Sequence, residues 1–109
     1  MTGFDDRKKS FEAKFARDAE LQFKVNARRN RLLGEWAAGK LGLSPEEADA
    51  YAKEVIAADF EEAGDEDVFR KVWGDLSAKE SGVTEADVRA AMDEKMAEAR
   101  RQFMESVGD

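Results

Sequence analysis

The chain contains no histidine and no cysteine. Their absence removes the commonest general acid–base side chain, the commonest thiol nucleophile and the usual zinc ligands. It also rules out a disulfide framework of the kind that supports small secreted scaffolds. Proline occurs once, at Pro45. No run of about 18 apolar residues is present, so no membrane span is expected, and no charged-then-apolar secretory signal opens the chain. A glycine-rich phosphate loop is missing too, because Gly34 and Gly39 fall within or at the end of a helical pattern. Ser44 and Thr84 stand where helices begin and are accounted for as caps. Together these absences argue against an enzyme and call for neither a cofactor nor a metal. They leave an interaction protein of the cell interior.

What is present is charge. Of 109 residues, enough for one domain, 39% are Asp, Glu, Lys or Arg, and the net charge is −7. The sum hides an asymmetry. Residues 1–43 carry 10 bases against 6 acids, and residues 44–109 carry 8 against 19, giving +4 and −11. An acidic chain is a poor general ligand for nucleic acid, whose binding draws on phosphate neutralisation. A basic front on an acidic body points instead to a first segment that meets an acidic partner.

The apolar pattern is helical throughout and nowhere alternates as a strand would. Phe4, Phe11 and Phe15 lie on one line through residues 1–17, with charge on every other side. Two readings stand: the seam packs on the protein's own core, or it is a mobile or weakly docked arm that orders on a partner. A central helix from about Ala19 to Leu41 puts Val25, Arg29, Leu32, Leu33 and Trp36 on one face, with Gly42 closing it. Gly34 within it suggests close approach of another helix. Ser44-Pro45-Glu46-Glu47 reads as a capping box with proline at the first helical position. The helix it opens turns Tyr51, Ala52, Val55, Ile56, Phe60 and Ala63 inward and ends at Gly64. Asp65 caps the next, with Val68, Phe69, Val72, Trp73 and Leu76 as its stripe. Thr84 caps the last, stapled by Val83 and Val88, and its inward face runs to Val107. Short turns imply antiparallel neighbours. The expected architecture is all-α: residues 18–109 as a small four-helix bundle, residues 1–17 as a docking segment.

Two residues interrupt their own apolar faces, Arg29 and Asp59. Arg29 can snorkel or be held by a carboxylate from another helix. Antiparallel packing places it level with Asp59, so a pair across that interface is one expectation and separate positions at the solvent edge the other. The acids from Glu61 to Asp67 fail as a calcium loop, since the fifth position counted from Asp65 is Phe69. Lys24, Arg28, Arg29 and Arg31 supply enough cations for a polyphosphate, so an adenine-nucleotide-binding bundle is the alternative function.

Two stretches carry a family resemblance. Ala27-Arg28-Arg29-Asn30-Arg31-Leu32-Leu33-Gly34-Glu35-Trp36-Ala37-Ala38-Gly39 and Ala58-Asp59-Phe60-Glu61-Glu62-Ala63-Gly64-Asp65-Glu66-Asp67-Val68-Phe69-Arg70-Lys71-Val72 resemble the zeta subunit of the alphaproteobacterial F-type ATP synthase, an ATPase inhibitor. Phe4-Asp5-Asp6-Arg7 and Glu12-Ala13-Lys14-Phe15-Ala16-Arg17-Asp18-Ala19-Glu20 are similar to that family's opening. Lys8-Lys9-Ser10-Phe11 matches it least well, and beyond about Gly74 only length and helical pattern agree. The resemblance implies a four-helix protein with a protruding N-terminal segment, similar in role to the mitochondrial ATPase inhibitor protein. That segment wedges into the catalytic head, among the alpha and beta subunits near the rotor, and blocks hydrolytic rotation. The implied contact residues are Phe4, Asp5, Asp6, Arg7, Phe11, Glu12, Lys14, Phe15 and Arg17. The implied location is the cytoplasm, peripheral to the inner membrane through the synthase, with the free protein a monomer.

Overall fold

A computed structural model of the chain describes the backbone of residues 3–60 and 64–107, and the side chains of 9–60 and 64–105. Five helices and no strand occur among them: α1 (Gly3–Arg17), α2 (Ala19–Leu41), α3 (Pro45–Ala58), α4 (Glu66–Ala78) and α5 (Glu85–Val107).

Local chemistry sets most of the ends. Asp18, extended at φ −107° and ψ 102°, is the only break between α1 and α2, and its carboxylate accepts from the Leu21 N–H at 3.1 Å. Gly42 closes α2 in the left-handed region at φ 74°, as glycine there should. The capping box forms as expected: Glu47 N–H donates to Ser44 Oγ at 3.2 Å and Ser44 N–H to Glu47 Oε1 at 2.9 Å. Thr84 and Asp87 reciprocate in the same way, at 3.1 and 3.0 Å, ahead of α5.

One boundary departs from the sequence reading. α3 stops at Ala58 rather than running to Gly64: the N–H groups of Asp59 and Phe60 bond three residues back, to Ile56 and Ala57, in a tightened final turn. No base lies in its last turn, and the following charged residues Asp59, Glu61 and Glu62 are all acids, which the negative end of a helix dipole disfavours. Phe60, expected inward, is therefore 66% exposed, and Ala63 lies outside the described residues.

α2 is the spine, in contact with each of the other four helices. On its C-terminal half Leu33, Ala37 and Ala38 join Tyr51, Val55, Val68, Val72, Leu76 and Val88 in the main core. On its N-terminal half Leu21 and Val25 join Phe11 of α1 and Ala99 of α5 in a second cluster. The start of α5 thus lies by the end of α2, and its later turns by the beginning, so the two run antiparallel. Gly34 is where α2 and α3 meet most closely; a Cβ there would lie 2.7 Å from the Ala52 Cα.

Candidate partner-binding surface

The residues of α1 divide cleanly by face. Phe11 is 3% exposed and stacks on Phe15 with ring centroids 6.0 Å apart. Phe15, Leu32, Met96, Phe103 and Met104 complete the cluster around Phe11, Leu21, Val25 and Ala99. The Arg100 guanidinium lies over the Phe15 ring, 4.5 Å from its centroid. At the corner, Gln22 donates its side-chain N–H to the Phe15 carbonyl at 2.6 Å. The arm expected to be mobile or weakly docked is therefore seated on α2 and α5 by its aromatic seam. The cause is simple: Leu21 and Val25 continue the apolar line around the Asp18 corner and offer Phe11 a surface on its own chain.

The outward face carries Lys9, Glu12, Lys14 and Arg17, all exposed. Phe11 and Phe15 are thus brought together, while Glu12, Lys14 and Arg17 project away from them. The side chains of Phe4, Asp5, Asp6 and Arg7 lie outside the described residues.

The four cations considered for a polyphosphate do not gather. Lys24 pairs with Glu20 at 3.1 Å and Arg28 is exposed. Arg31 is held by Asp49 at 2.8 Å and Glu35 at 3.5 Å. Arg29, 1% exposed, donates through Nη2 to Asp65 Oδ1 at 2.8 Å and through Nε to Asn30 Oδ1 at 2.6 Å. Among the described residues no group of acids stands ready for a metal ion.

Arg29 is thus held by a carboxylate from elsewhere in the chain, but the partner is Asp65 and not Asp59. Asp65, at the head of α4, meets the guanidinium and makes no side-chain cap on α4. The Arg29 hydrogen bond holds the Asp65 carboxyl below its ordinary range. Asp59 keeps a lesser role: burial pushes its carboxyl up, against the opposing pull of the Asn30 amide and the Arg29 charge.

A family model for ATPase inhibitor subunit zeta matches residues 1–102. The chain belongs to that family. A structure described as the solution NMR structure of a protein shares 56% identity with it, covers 79% of this chain and 98% of its own, and superposes with a TM-score of 0.70. No curated protein matched the chain.

For a zeta-family chain the feature hardest to foresee is what surrounds the arm. Arg100 and Gln22 hold Phe15 in place, and neither stands out in the sequence. Arg100 does fall beside Met96, Ala99 and Phe103 on the α5 pattern, a position from which a cation can cover a neighbouring ring. Phe23, 53% exposed and in ring contact with Phe60, does not stand out in the sequence either.

Proposed function

We propose that this chain inhibits ATP hydrolysis by an F-type ATP synthase and that α1 is the element inserted into the catalytic head near the rotor. Membership of an inhibitor family supports a regulatory rather than a catalytic role. The observation that carries the mechanism is the construction of α1. It is a separate helix, joined to α2 through the single non-helical residue Asp18, and it bears an aromatic seam on one side and a charged face on the other.

In the free chain the seam is occupied by the body. Insertion therefore requires α1 to turn about Asp18, leaving Leu21, Val25 and Ala99 and presenting Phe11 and Phe15 to the head. Burial of a phenylalanine side chain is worth roughly 1.5–3 kcal/mol. Releasing Phe11 costs about that much, and contacts in the complex must offset it. The exposed Lys14 and Arg17 steer the approach to an acidic surface.

The test is hydrolysis by purified catalytic head, stripped of its own inhibitor, with the full chain or with residues 18–109. The full chain should inhibit and the shortened one should not, while retaining its helical circular dichroism. Equal inhibition by both would exclude α1 as the inhibitory element.

A further inference from the structure

The corner between α1 and α2 is a single residue, and the helical spacing runs straight through it. Phe11, Phe15, Asp18, Gln22, Val25 and Arg29 follow one another by alternating steps of four and three. On one continuous helix that spacing makes one stripe, so the aromatic seam of α1 is already in phase with the inward face of α2. From Phe4 to Leu33 no glycine or proline enforces a corner. Two side chains of the same stripe hold it instead. The backbone ladder is intact on either side, with the Asp18 N–H on the Lys14 carbonyl at 2.9 Å and the Gln22 N–H on the Asp18 carbonyl at 3.0 Å. Between these bonds the N–H groups of Ala19, Glu20 and Leu21 do not reach the carbonyls of Phe15, Ala16 and Arg17. Part of the gap is filled by the Asp18 carboxylate, which accepts from the Leu21 N–H, and by the Gln22 amide, which donates to the Phe15 carbonyl. Charge favours the corner as well, since Lys14 and Arg17 close α1 and Glu20 opens α2. Phe11 and Val25, 14 residues apart, share one cluster. A straight helix would hold them about 21 Å apart, so the bent and straight forms exclude each other.

We propose that Asp18 and Gln22 are a latch: when α1 leaves the body the corner straightens, and α1 and α2 become one continuous helix. In that helix the three N–H groups of Ala19, Glu20 and Leu21 take the three carbonyls that the corner denies them. The proposal rests on the inhibitory reading above for what draws α1 away. Both forms are helical on either side of residue 18, so the binding partner has only to favour one of two ready arrangements rather than fold a new segment. The fused helix, Gly3 to Leu41, runs to about 58 Å, beyond the 48 Å that is the longest extent of the bent molecule. Straightening therefore carries the seam clear of the body and into reach of a recess.

The experiment places spin labels at Lys9→Cys and Arg28→Cys, exposed positions of a chain without native cysteine, and measures their separation free and bound to the holoenzyme. A continuous helix sets the two backbones about 29 Å apart. The free protein should give a shorter distance and the bound protein about that one. Ala19→Pro tells the two forms apart. Proline suits the first position of α2 after the extended Asp18, but within a continuous helix its ring meets the Phe15 carbonyl. The variant should keep the wild-type melting temperature, while its half-inhibiting concentration rises about tenfold or more. A bound distance equal to the free one would overturn the proposal, as would inhibition by Ala19→Pro at the wild-type concentration. If Ala19→Pro does not fold, the bound distance decides alone. Should wild type fail to inhibit at all, the inhibitory reading falls by itself, and the labelled Asp18→Ala chain decides in the free state: a population near 29 Å upholds the latch, and the bent distance alone rejects it.

Discussion

Arg29 is a fully buried cation whose stability rests on a carboxylate half open to water. Such a pair need add little over an apolar one, yet stranding the buried member is costly. Asp65→Ala should therefore destabilise by about 3 kcal/mol, the lower end of the range for breaking a buried pair because Asp65 itself is partly solvated. Arg29→Met/Asp65→Ala should be more stable than Asp65→Ala alone, in a double-mutant cycle measured by urea denaturation. Strict additivity would show that the two residues are not coupled. Asp59 supplies the opposite sign. Burial raises its folded-state carboxyl above the unfolded value of about 3.9, so its ionisation at neutral pH opposes folding. Asp59→Asn should raise the urea midpoint at pH 7, and the gain should vanish as pH falls to the unfolded value and below. For Asp65, held low by Arg29, the stabilising contribution is present above that value and is lost as pH falls through the folded one. That position 29 puts a charge inside an apolar face was legible from its place among Val25, Leu32, Leu33 and Trp36, but whether it snorkels or pairs with a carboxylate was left open. Which carboxylate was not legible either, because it depends on where α3 ends and where the head of α4 packs against α2.

Among the elements, the ends set by a few neighbouring residues could be read directly: Gly42, Ser44 with Glu47, and Thr84 each act within one helical turn. The end of α3 could not, since its apolar spacing continues through Phe60 and only the acids after Ala58 oppose it. The α2–α3 contact was readable in kind. Gly34 marked a close approach, and Ala52 is the residue it meets. Gly34→Ala should destabilise by about 1–3 kcal/mol through overpacking against backbone, although alanine is the better helix former. Gly39→Ala, with nothing within 4 Å of the added methyl, should instead stabilise by up to about 1 kcal/mol. Thermal melts of the two variants check both, and shifts of the same sign would contradict the contact. For α1, spacing identified the seam but not its occupant, since an apolar line reads the same whether it meets its own chain or another. The seating of Phe11 sets what truncating it should do. Phe11→Ala should abolish amide-exchange protection in α1 while α2 to α5 remain protected; protection retained in α1 would mean that Phe11 is not its anchor.

On the scale of the molecule, two apolar clusters share one long helix, and the smaller of them includes Phe11 and Phe15 of the arm that the proposed mechanism must release. In the proposed mechanism α1 must leave the body in order to inhibit. A chain free of native cysteine allows this to be tested cleanly with Phe15→Cys/Arg100→Cys, at two side chains that touch between α1 and α5, joined by a short reducible thiol linker. The decisive measurement is ATP hydrolysis by the catalytic head with this variant linked and after reduction of the linker. The linked protein should not inhibit, and reduction should restore inhibition; equal inhibition by the linked and reduced forms would show that α1 inhibits without leaving the body.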